Sequence, residues 1–186
     1  MISTLRLFIG LLLRKAAPSD LPTSPRLLAV TFFALAALQG LFAGAFGEDP
    51  GAVLPQALFS GVLSLGWIYL LSRIHGKPER FLQTATAMFG AMLVVAPVTL
   101  PLLAVAMPLV EAARTGQPAV DAGAVPLLAL AAVFAASLYL LVVQGRILAE
   151  SIERPFFQCL VLVLLGELLV VIAMGALGFG GAAPAA

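Results

Sequence analysis

From residue 81 to residue 110 the chain runs without a single ionisable side chain. The hydrocarbon core of a bilayer, about 30 Å thick, is crossed by roughly 20 residues of α-helix. Four other stretches have that length and character. Residues 27–46 are uncharged and hold one glutamine, Gln39, while residues 53–72 end with Trp67 and Tyr69 close to Arg73. Residues 125–144 are uncharged, and residues 156–179 contain one ionisable group, Glu167. Only 10% of the chain is charged, against roughly 25% in soluble domains, which excludes a water-soluble globular protein. One cysteine cannot form an internal disulfide. A net charge of +1 gives no reason to expect nucleic acid binding.

The long run contains Pro97, Pro101 and Pro108. Each removes a backbone donor and crowds the preceding turn, so one crossing is expected over residues 81–101, followed by a bent extension. Two short crossings or a re-entrant hairpin are the alternative, and charge discriminates between them. With five crossings and a cytoplasmic N-terminus, Arg6, Arg14, Lys15, Arg26, Arg73, Lys77, Arg80, Arg146 and Arg154 fall inside and only Arg114 outside. A second crossing there would move Arg114 in and Arg146 and Arg154 out, weakening the positive-inside bias. The expected fold is therefore an all-α polytopic membrane helix bundle. Its five transmembrane helices lie at about 27–46, 53–72, 81–101, 125–144 and 156–179, within a domain covering 27–179. The C-terminus is expected outside, in the periplasm if the membrane is a bacterial inner membrane, which the alanine and leucine usage and short loops suit.

Residues 1–17 form a separate unit. The apolar run of residues 7–13 is short, is followed at once by Arg14 and Lys15, and lacks the small-residue cleavage site of a signal peptide. At 100° per residue Ser3, Arg6, Gly10 and Arg14 share one arc, with Ile2, Leu5, Phe8, Ile9 and Leu12 opposite. That predicts an amphipathic interfacial helix with Arg6, Arg14 and Lys15 at the membrane surface. Lys15 falls off the polar arc, so the helix should fray there. Residues 18–26 are a proline-rich connector, with Ser24 and Pro25 a good helix start. Residues 47–51 make a tight outer turn, residues 111–124 the largest outer loop, and residues 180–186 a flexible tail.

The inventory of reactive groups argues against an enzyme. One histidine, His75, and one cysteine, Cys159, cannot build a familiar metal cluster, and no phosphate-binding, dinucleotide, serine-hydrolase or zinc-protease motif is present. No catalytic residue, cofactor or metal is expected. Glu167 stands out, being about 16 Å deep in its span at helical rise, since ionisable groups within membranes are by default functional candidates. The same depth arithmetic puts Gln39, Ser64 and Ser137 near the midplane, so the four could share one polar layer. An inter-helix hydrogen bond, a partner-subunit contact and an ion or proton relay all remain open for Glu167. Small residues mark packing faces: Ala36, Gly40 and Gly44 on the first span, and Ser60 with Ser64 on the second. They predict close helix contact in lipid without naming the contacting helix.

The hairpin between the second and third spans, His75-Gly-Lys-Pro-Glu-Arg-Phe-Leu-Gln-Thr, resembles bacterial members of the Yip family of membrane proteins. The five-span layout resembles that family too, and Gly145-Arg146 sits where it has a short inner loop. The Asp-Leu-Tyr-Gly-Pro element of eukaryotic members is absent, and Asp20-Leu21-Pro22 does not replace it. The resemblance implies an integral membrane scaffold or trafficking factor and no catalytic residue. Three functions follow as expectations. The first is a non-enzymatic membrane protein acting through association with membrane partners or lipids. The others are a small transporter or channel component using Glu167, and an accessory subunit of a larger membrane complex. The sequence leaves oligomeric state open.

Overall fold

The computed structural model describes residues 2–45, 49–116 and 123–178. Six α-helices follow in order: α1 (Ile2–Leu12), α2 (Pro25–Ala45), α3 (Pro50–Ile74), α4 (Phe81–Thr115), α5 (Ala124–Ile152) and α6 (Phe156–Ala176). The last five are long and apolar enough to cross a membrane, which makes the chain an all-helical protein with the character of an integral membrane protein. The expected turn at 47–51 lies partly outside the described residues; so do parts of the 111–124 loop and all of the 180–186 tail.

The 81–110 run folds as one continuous helix rather than two crossings. At 100° per residue the three prolines of α4 fall within an arc of about 40°, and Pro97 and Pro108 are exposed. The missing donors therefore line up on one outward face, where carbonyls can tilt away from the axis without disturbing the packed side. The helix also begins where it is most enclosed. Every residue from Thr84 to Ala91 is buried, and Ala85, Ala87 and Ala91 are completely covered. Small side chains there let α1, α2, α3 and α5 all reach α4.

Helix α1 ends at Leu12, as the off-arc lysine implied. Its C-terminus closes with the Lys15 N–H donating to the Gly10 carbonyl (2.7 Å) and Arg14 in the left-handed region at φ 60°, a Schellman arrangement. The expected apolar arc is divided. Phe8, Leu11 and Leu12 are buried in the bundle, whereas Leu5 and Ile9 remain exposed. Phe8 inserts over Gly90 of α4, where a Cβ would lie 2.2 Å from its ring. Tyr139 of α5 donates its hydroxyl to the Leu12 carbonyl. Arg6, Arg14 and Lys15 are exposed.

Helix α5 runs two turns past the expected boundary at residue 144, to Ile152. Those turns bury Ile147, Leu148, Ser151 and Ile152 and end at a polar clamp. Glu153 takes a left-handed φ of 56° and pairs with Lys77 (3.0 Å) and Arg80 (2.8 Å). Arg80 also donates to the Glu150 and Ser151 carbonyls at 3.3 and 3.2 Å, capping the end of α5. Next to it the Gln83 amide donates to the Leu21 carbonyl at 2.8 Å, fixing the connector. The α3–α4 turn, the α5–α6 turn and the connector thus meet at one basic end.

Two predictions follow from this packing. Phe8→Ala should destabilise the protein by about 3 kcal/mol and Gly90→Ala by about 2 kcal/mol. Unfolding of the double variant in detergent should show less than the sum, since each change disrupts the same contact. At the clamp, the Lys77 ammonium and then Arg80 hold the Glu153 carboxyl below its ordinary value. A depressed folded value means stabilisation that is present above the unfolded pKa and lost as pH falls through the folded one. The Tm difference between the protein and Glu153→Gln at neutral pH should therefore vanish in acid, and shrink with added salt because Glu153 is exposed and its two partners are half-exposed.

Candidate functional site

All five long helices contribute to one internal cavity of about 130 Å³. Helix α2 supplies Phe32, Ala36 and Gln39, and α3 supplies Ser60, Gly61, Ser64 and Trp67. Met88, Phe89 and Met92 come from α4, Gln144 and Leu148 from α5, and Gly166 and Glu167 from α6. About 10–15 Å³ on this measure holds one water, so the space admits several waters or a small organic group.

Two glycines shape the walls. A Cβ at Gly61 would lie 2.5 Å from the Phe32 ring, and one at Gly166 would lie 2.4 Å from Trp67 Cδ1. Each aromatic ring therefore occupies the position a side chain would otherwise take. The Trp67 indole N–H donates to the Leu162 carbonyl at 3.0 Å, so α3 is pinned to α6 beside Glu167. Trp67 is thus an internal strut between α3 and α6. Tyr69 is exposed and packs edge-on against Phe81, centroids 5.4 Å apart.

Of the expected polar layer, Gln39, Ser64 and Glu167 line this cavity together. Ser137 does not. It is exposed on α5 and donates to the Val133 carbonyl of its own helix at 2.9 Å. Depth along a helix fixes the level of a residue but not its direction, and Ser137 faces away. In its place α5 contributes Gln144, only 7% exposed, which lies at the last position of the expected 125–144 span. Its neighbours Val143, Gly145, Ile147 and Leu148 are buried too. Continuation of the helical pattern through Arg146 was the available signal.

The small-residue faces act within the chain. Gly40 packs against Leu54 of α3 at 3.6 Å, and Gly44 against Pro50 at 3.1 Å, measured from the position of an added Cβ. Ala36, Ser60 and Ser64 face the cavity. The two serine hydroxyls donate to carbonyls of their own helix, Ser60 to Ala57 (3.1 Å) and Ser64 to Ser60 (3.0 Å). Only their lone pairs are left to meet another group. Among the described residues the side chains of Gln39, Gln144 and Glu167 have no hydrogen-bond partner.

Glu167 is the single ionisable residue of the lining. It stands at the rim: Val163 and Val170, one turn away on the inner side, line the cavity, while Leu164 and Val171 are exposed. Among the described residues no three His, Cys, Asp or Glu side chains come close enough to hold a metal ion. Cys159 is buried near the start of α6, its thiol 3.9 Å from the Arg154 carbonyl, and His75 caps the end of α3 through Nδ1 and the Leu71 carbonyl (2.8 Å). The two serve different helix ends.

Trp67 is the only tryptophan of the chain, so its emission reports on this wall alone. Gly166→Ala should shift that emission and destabilise the protein by about 2 kcal/mol, because the new methyl displaces the indole and breaks its bond to Leu162. Ser137→Ala should change neither quantity. Comparison with protein-family models, with curated proteins and with solved structures gives no match to this chain.

Proposed function

We propose that this chain is a non-enzymatic integral membrane protein that acts by association, and that the cavity between its five long helices is where a lipid or another small membrane-dissolved molecule is held. The observation that carries the reading is Gln144. It is a buried residue whose amide has no partner among the described residues and opens onto a cavity that also receives Gln39 and Glu167, and a polar group left unpaired away from bulk water is costly. Mostly apolar walls with a few convergent polar groups are the usual make-up of a small-molecule site.

The surroundings fit this role. Arg6, Arg14 and Lys15, with exposed Leu5 and Ile9, suit a helix lying against the cytoplasmic face of a bacterial inner membrane. The basic end that carries Lys77 and Arg80 would then face the cytoplasm and the C-terminus the periplasm. The segment resembling the Yip family contributes Arg80 and Gln83, which tie that end together. A membrane scaffold of that kind would bind other membrane proteins as well, with the basic end as the exposed polar surface.

A second reading is a small transporter component in which Glu167 carries a proton or ion. The position of its carboxyl at the rim, in reach of both the cavity and the exterior, favours it. The two readings part on Glu167→Gln, which leaves contacts with membrane partners intact under the first and abolishes coupled flux in proteoliposomes under the second.

The test is native mass spectrometry of the protein released from mild detergent. Association in the cavity predicts a retained small-molecule or lipid adduct that falls at least about tenfold in Gln144→Leu, an affinity change of one decade. An adduct pattern identical in the two proteins overturns the proposal.

A further inference from the structure

The cavity lining holds one carboxyl and no basic side chain, and this imbalance of charge bears on the class of ligand. Ser60 and Ser64 have already given their hydroxyl protons to Ala57 and Ser60, so they face inward as acceptors. The Trp67 N–H is committed to Leu162. The remaining capacity is the carboxyl of Glu167 and the amides of Gln39 and Gln144, each amide accepting through its oxygen and donating through its NH2. No arginine, lysine or histidine lines the space. A phosphate, sulfate or carboxylate would meet the Glu167 carboxylate with no cation to offset the repulsion. A neutral apolar guest would leave that charge and the buried Gln144 amide unmatched.

Aromatic rings surround the same space. Phe32 and Phe89 lie with centroids 5.5 Å apart and planes inclined by 55°, and the Trp67 ring rests on Gly166, the residue before Glu167. Ring faces attract a positive charge and gain strength where water is excluded. Met88 and Met92 add adaptable apolar surface that conforms to a variable body. A carboxylate, a set of acceptors and aromatic walls together complement an ammonium group attached to an apolar body. The rim position of Glu167, flanked by exposed Leu164 and Val171, admits such a molecule from the apolar side of α6.

We propose that the cavity binds a lipophilic amine in its protonated form, with the ammonium paired to Glu167, hydrogen-bonded to the Gln144 carbonyl oxygen, and the apolar body held among Phe32, Phe89 and Met92. The proposal rests on the cavity being a binding site, and it adds the charge and class of the ligand.

The test uses the full chain in nanodiscs, with three probes of one shape: 1-aminoadamantane, 1-adamantanol and adamantane-1-carboxylate. Emission of Trp67 reads binding in each titration. The amine should give a saturable change, with the alcohol weaker by about tenfold or more and the carboxylate weaker still. In Glu167→Gln, checked for unchanged helix content by circular dichroism, the amine should fall to the affinity of the alcohol while the alcohol itself is unaffected. Glu167→Asp should restore the preference for the amine. Equal affinity of amine and alcohol, or no loss of amine binding in Glu167→Gln, overturns the assignment of a cation. If both probes bind equally and Gln144→Leu weakens both, the cavity remains a binding site and only the charge assignment fails. If none of the three alters Trp67 emission, both fail.

Discussion

The bundle depends on how closely other helices can approach the first three turns of α4. Water expulsion does not drive helix association inside lipid, where contact depends on fit and on polar bonds. Thr84, Ala85, Ala87, Gly90 and Ala91 have little side chain to hold a neighbour away, and each is buried. Helices α1, α2, α3 and α5 all pack against α4. Thr84 returns its hydroxyl to the Arg80 carbonyl at 2.8 Å, so this polar residue can be covered without an external partner. Buried Thr31, Ser72 and Ser151 do the same on α2, α3 and α5.

The cavity is a consequence of the same economy of side chains. Rings placed on glycine, Phe32 on Gly61 and Trp67 on Gly166, bring α2 close to α3 and α3 close to α6. The side chains of Gln39, Gln144 and Glu167 line the space left between them. A tightly joined bundle with a polar void is thus one arrangement rather than two competing demands. Replacing the void by packed leucines would remove unpaired polar groups and favour stability alone. The polar lining is the feature on which the proposed ligand rests.

Much of this was legible in the chain. Hydropathy points to five long helices because burial in lipid needs only length and apolarity, and residues 81–110 lie within one helix, α4. Depth arithmetic grouped Gln39, Ser64 and Glu167, since level along a helix follows directly from rise per residue. It failed for Ser137 and overlooked Gln144 because azimuth is set by neighbouring helices, which a single segment does not encode. The role of Trp67 was hidden for a related reason: aromatic residues near span ends commonly meet head groups, and only the tertiary position of Gly166 shows otherwise. The clamp at Glu153 could not be read either. Its partners Lys77 and Arg80 lie more than seventy residues away, and the left-handed turn that aims the carboxylate leaves no composition signal in a non-glycine residue.

Arg80 has a wider mechanical meaning. One guanidinium holds the Glu153 carboxylate and the last carbonyls of α5, so the hairpin of α3 and α4 and that of α5 and α6 are fastened together at one extremity. The bond from Trp67 to Leu162 ties α3 to α6 a second time, beside Glu167, so the two hairpins are stitched both at the polar end and within the apolar layer.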